Sequence, residues 1–86
     1  GGSMIYCAGG ARSFKMENGS KITDCPSLNG NVIFAQNCTV VIDGEISNVH
    51  ATGNHILQTD GGTAVTIGKN GRILNNRAYY GAVYIN

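Results

Sequence analysis

The 86-residue chain predicts an all-β fold, a right-handed parallel β-helix (β-solenoid) of about three turns of roughly 25 residues each. Three observations predict it. A pattern of an apolar-x-apolar pair, a Gly-bearing turn and an Ile occurs three times: Phe14-Lys15-Met16 through Gly19 to Ile22, Val40-Val41-Ile42 through Gly44 to Ile46, and Val65-Thr66-Ile67 through Gly71 to Ile73. Within two of the pairs a polar residue separates the apolar ones, the period of a strand rather than of a helix. Asn-Gly steps at 18–19, 29–30 and 70–71, with Asp43-Gly44 and Asp60-Gly61-Gly62, break every window long enough for a stable helix.

The elements follow in order. Ile5 and Cys7 stand at the same distance from the first pair as later strands do from theirs, so they open the first turn. The second members of the pairs fall at 16, 42 and 67, and the closing Ile at 22, 46 and 73. Like segments thus recur about every 25 residues instead of pairing with their immediate neighbours, which argues against hairpins despite the Asn-Gly steps. After each turn comes a second apolar strand, Gly30-Asn31-Val32-Ile33-Phe34, Gly53-Asn54-His55-Ile56-Leu57 and Gly81-Ala82-Val83-Tyr84-Ile85. Aligned on Gly, the inward positions read Val32, His55 and Val83, then Phe34, Leu57 and Ile85. A slip of one residue would instead turn Ile56 inward and His55 outward. The expected core column is Phe14, Met16, Ile22, Val32, Phe34, Val40, Ile42, Ile46, Leu57, Val65, Ile67, Ile73, Val83 and Ile85, divided among turns at approximately 11–37, 38–62 and 63–86. Gly1-Gly2-Ser3 reads as an expression-tag remnant, leaving 4–86 as one solenoid segment. Three turns stand about 14 Å tall and carry no capping element, so a fragment of a longer solenoid, or ends that stack on another copy, is expected.

Composition removes several function classes. Net charge is +1 and charged residues are 13% of the chain, about half the usual share, which excludes a nucleic-acid binder working through a basic face. No apolar run reaches the roughly 18 residues of a membrane span. Cys7, Cys25 and Cys38 have neither CxxC spacing nor a nearby Cys/His cluster, so no metal site is expected. They read as small buried apolar side chains, with a Cys25–Cys38 bridge as the alternative.

The last turn carries a family likeness. Ile73-Leu74-Asn75-Asn76 followed by Tyr80-Gly81-Ala82-Val83-Tyr84-Ile85 resembles the paired FxxN and GGA[ILV] motifs of polymorphic outer-membrane proteins, and is similar to the β-helix repeats of large surface proteins from gut bacteria. Asn76 and Gly81-Ala82-Val83 match the motifs outright, while Ile73 replaces the Phe and Tyr80 the first Gly. Ile22-Thr23-Asp24-Cys25 and Ile46-Ser47-Asn48-Val49 lack the Asn at the fourth position, and neither is followed by Gly-Ala-Val. The resemblance implies a secreted or cell-surface bacterial protein with an adhesive or structural role. Some parallel β-helices are instead polysaccharide lyases and hydrolases.

Two groups of residues are candidate sites. Tyr79, Tyr80 and Tyr84 gather near the C-terminal end, where they would stack on a sugar ring or anchor a partner, or else cover a corner as ordinary strand residues. Glu17, Asp43 and Glu45 fall at equivalent corners, the acidic cluster that glycan chemistry would need, or else plain turn residues. His50 and His55 have no Ser or Cys beside them in a nucleophile motif. Gly9-Gly10-Ala11 and Asp60-Gly61-Gly62 are corners, lacking the Lys-Ser/Thr of a phosphate loop. No cofactor is implied. The expectation is a non-enzymatic structural or adhesive segment whose partner is a glycan or host surface. A fragment of a polysaccharide-degrading enzyme and an end-to-end self-assembling unit are the alternatives.

Overall fold

The computed structural model describes residues 3–85; Gly1 and Gly2 of the expected tag remnant, and Asn86, lie outside them. Ser3 already belongs to the first strand and pairs with Asn31. The described residues contain nine strands and no helix: β1 (Ser3–Met16), β2 (Lys21–Leu28), β3 (Asn31–Ile42), β4 (Glu45–Ala51), β5 (Leu57–Asp60), β6 (Ala64–Ile67), β7 (Arg72–Leu74), β8 (Arg77–Ala78) and β9 (Val83–Tyr84). They form two sheets. One runs β1-β3-β5-β9 with β6 also on β3, and the other runs β2-β4-β7 with β8 also on β4. Every pairing is parallel. The chain is a parallel β-solenoid of about three turns. Its shortest dimension, 16 Å, matches four strands stacked about 4.8 Å apart.

The repeat read from the sequence is the register of the stack. Phe14, Val40 and Val65 lie over one another, as do Met16, Ile42 and Ile67, and Ile22, Ile46 and Ile73. Ile5, Ile33, Leu57 and Val83 form a further column, so Ile5 and Val83 do occupy the same point of the turn. Inside, Cys7, Met16, Val32, Ile33, Ala35, Cys38, Val40, Ile42, Ile46, Val49, Ala51, Ile56 and Leu57 are buried.

The second strand of each turn departs from the Gly alignment. Ile33 stands opposite Leu57, and Leu57 opposite Val83, so the glycines at 30, 53 and 81 are not equivalent. At this corner the amides of Val32 and Ile33 both donate to the carbonyl of Ile56, and those of Ile56 and Leu57 both donate to that of Ala82. The shared carbonyl lets two consecutive side chains enter the core: Val32 and Ile33 are both buried, as are Ile56 and Leu57. Alternation then resumes one residue out of step. Phe34, expected inside, is only half-buried between the buried Ile33 and Ala35, with its ring edge-to-face on Tyr6, centroids 5.6 Å apart. His55 is half-buried beside the buried Ile56, the outcome a one-residue slip gives. Ile67, Val83 and Ile85, also expected inside, are exposed in the last rung.

The corners are made by residues that tolerate left-handed backbone. Asp24, Asn48 and Asn75 have φ of 58°, 54° and 55°, each directly following the registered residues Thr23, Ser47 and Leu74. Asn and Asp reach this region more readily than other side-chain-bearing residues, so Asp24 in β2, Asn48 in β4 and Asn75 just after β7 mark a stacked bend. Gly9-Gly10 and Gly61-Gly62 also have positive φ and are corners, as expected.

Candidate functional site

The tyrosines of the last turn do come together, and the structure adds a fourth ring. Tyr79 and Tyr80 form the turn after β8, closed by Gly81 N donating to Ala78 O at 3.4 Å. Their rings meet edge-to-face at 4.7 Å. The His55 ring lies 5.9 Å from Tyr80 and 5.2 Å from Tyr84, so it bridges residues that would otherwise be separate. Two bonds fix it. Its amide donates to Oδ1 of the buried Asn31 at 3.0 Å, and its Nδ1 lies 2.8 Å from the carbonyl of Gly81. A carbonyl only accepts, so Nδ1 carries the proton in the neutral ring. Tyr79, Tyr80 and Tyr84 are 71%, 66% and 43% exposed. The result is a rigidly based aromatic surface that suits the apolar face of a sugar ring or a flat apolar partner. His55 was not legible as a member of this group; the only signal was its separation from Gly81 by about one turn.

The three acids occupy neighbouring corners but are held by separate partners. Glu17 meets Lys15 Nζ at 3.7 Å, both side chains exposed, an ion pair of little energetic weight. Asp43 Oδ1 accepts the amide of Asn70 at 2.8 Å, one turn above, as a corner aspartate does. Glu45 Oε2 accepts from the Ser47 hydroxyl at 2.8 Å, and Ser47 in turn meets the Thr23 hydroxyl at 3.0 Å. Among the described residues no group of three metal-ligating side chains comes together. His50 pairs in register with Arg77 on the second sheet, away from His55.

A polar cleft of about 260 Å³ lies along the same corner, lined by Asn18, Ser20, Lys21, Glu45, Asn70 and Arg72 with the backbone of Gly19 and Gly44. Lys21, Glu45 and Arg72 are stacked in register. An apolar hollow of about 320 Å³ opens at the first rung, where Phe14, Met16 and Ile22 face it.

Asn76, the motif asparagine, works inside the scaffold. Its Oδ1 accepts the amide of Val49 and its Nδ2 donates to the carbonyl of Ile46, both at 2.9 Å, so it supplies hydrogen bonds that the bend at Asn48 and Asn75 removes from the ladder. The cysteines depart from both expectations, three unpaired buried side chains and the alternative Cys25–Cys38 bridge. Cys38 is bridged to Cys7, Cα atoms 6.2 Å apart, and Cys25 is free. Cys25 lies on the other sheet, opposite Val49.

No family model, curated protein or solved structure matches the chain.

Proposed function

We infer that the chain is a structural and adhesive segment of a secreted or cell-surface bacterial protein, a rigid solenoid that presents an aromatic patch to a glycan or host surface. The observation that carries this reading is the group of three exposed tyrosines clasped by His55, itself anchored through Asn31 and Gly81. Exposed aromatic clusters of this kind are over-represented at binding surfaces, because each ring offers large contact area at low entropic cost. The Cys7–Cys38 bridge supports an oxidising, extracellular setting. The separate engagement of Glu17, Asp43 and Glu45 favours a non-enzymatic role over glycan cleavage, which needs two carboxyl groups facing one bond. The test is binding of the full chain to an array of neutral and acidic oligosaccharides, read beside the Tyr80→Ala variant. Binding that falls by about tenfold in the variant is the expected result; a bound glycan indifferent to Tyr80, or one that is cleaved, would reject the reading.

End-to-end stacking is a second reading, favoured by the exposed Ile67, Val83 and Ile85 of the last rung and the apolar hollow at Phe14, Met16 and Ile22. Against it, continued register would set Lys21 of one copy over Arg72 of the next. Light scattering across a concentration series decides it, association rising with salt if the two cations are what oppose it.

A further inference from the structure

The corner cleft is chemically distinct from the tyrosine patch, and nothing in the proposed function uses it. It lies on the second sheet, where the turns before β2, β4 and β7 stack. Its floor is bare backbone, since a side chain at Gly44 would run into Ser20, whose carbonyl oxygen would stand 2.6 Å from an added Cβ. The walls are fixed by rung-to-rung bonds, Glu45 N to Ser20 O and Arg72 N to Gly44 O, each 2.9 Å.

Its charges are arranged in a column: Lys21, Glu45, Arg72, one strand spacing of about 4.8 Å between successive members. Glu45 is held by the Thr23–Ser47 hydroxyl chain and forms an ion pair with neither cation. Lys21 and Arg72 therefore stand in the cleft with their charges unspent, and the side chains of Asn18 and Asn70 at its rim have no hydrogen-bond partner either. Two cations flanking a fixed carboxylate select among ligands. A compact anion such as phosphate meets repulsion from Glu45 in the middle of the column. A neutral sugar leaves both cations unsatisfied. A ring bearing one carboxylate and several hydroxyls suits all three groups: the carboxylate takes the planar fork of Arg72, and a hydroxyl donates to Glu45. The volume, just below the range of sites for drug-sized ligands, admits about one such ring.

We propose that this cleft binds a hexuronate unit of an acidic glycan, with Arg72 on its carboxylate, Glu45 accepting from a ring hydroxyl and Lys21, at the other end of the column, donating to a further ring oxygen. The inference does not depend on the tyrosine patch, and its test is read at different residues. The full chain is titrated with galacturonate, galactose and inorganic phosphate while amide chemical shifts are followed. Galacturonate is expected to shift Gly19, Gly44, Glu45 and Arg72, and to bind about tenfold tighter than galactose or phosphate, the worth of one charge-assisted hydrogen bond. Arg72→Gln is expected to lose that tenfold with the melting temperature unchanged, since Arg72 is exposed; Lys21→Gln serves if Arg72→Gln does not fold. Glu45→Gln is expected to weaken galacturonate and to strengthen phosphate. Equal affinity for galactose, tighter binding of phosphate to the unaltered chain, shifts confined to Tyr79–Tyr84, or an indifferent Arg72→Gln would each overturn the proposal.

Discussion

At Gly71 the chain passes so close to the rung beneath that an added Cβ would collide with the carbonyl oxygen of Ile42 and lie 2.8 Å from the Ile67 side chain. The glycine of the third turn is thus demanded by stacking, not by an unusual dihedral. Its counterpart in the first turn, Gly19, has open space around it but a φ of 91°. One sequence feature therefore answers two physical needs. Gly71→Ala is expected to cost about 1–3 kcal/mol, the range of overpacking into a closed site, read as a lowered midpoint in urea. Asn76 makes a comparable contribution by other means. Asn76→Ala orphans the Val49 amide and the Ile46 carbonyl, and a loss of about 1–3 kcal/mol per buried orphan is expected, again from the urea midpoint. The motif drew attention to Asn76, but only its two bonds show that its work is structural.

At the scale of the strands, β3 is the element on which the fold depends, because it pairs with β1 below and with β5 and β6 above. Ile42 lies within it at 0% exposure. Ile42→Asp would bury an unpaired carboxylate, and no cooperative melt or β-type circular dichroism is expected of it. A folded variant would mean that this core has been misread. The bridge from Cys7 to Cys38 ties β1 to β3 beside the irregular register between Ala8 and Arg12, where the backbone pairing is interrupted. Closing a loop of 31 residues' separation is worth about 3–4 kcal/mol on the chain-entropy account. Unfolding in urea with and without a reductant should differ by an amount of that order, whereas Cys25→Ser should change little. Sequence spacing could not reveal this pair: the register partner of Cys7 is Ala35, and Cys38 reaches it only because the chain bends at Asn37, whose φ is 53°.

Across the whole molecule, burial follows position along the stack. In the column Met16, Ile42 and Ile67, the outer members are buried at the first rung and 49% exposed at the last, with Ile42 sealed between them; in the column Ile33, Leu57 and Val83, the last member is 46% exposed. Residues of equal hydrophobicity therefore contribute unequally, the middle rung being covered on both sides. Amide hydrogen exchange should reproduce this gradient. The amides of β3 and β4 are expected to exchange slowest and those of β7, β8 and β9 fastest; uniform protection would contradict a stack held rung by rung.

The winding was legible in the residues alone. The period near 25 residues, the strand alternation and the Gly-bearing turns were enough to align Phe14 with Val40 and Val65, and Ile22 with Ile46 and Ile73, because stacking in register places like positions over like. Several corners were legible as well, but the phase of the strand that follows one was settled only by stacking. Where two amides share one carbonyl, at Val32–Ile33 and Ile56–Leu57, both side chains turn inward and the alternation restarts out of phase, which no local pattern announces. That single offset carried Phe34 to the outer face and His55 to the tyrosines; the disulfide, through the bend at Asn37, and the charged cleft on the other sheet likewise emerge only when the turns are laid on one another.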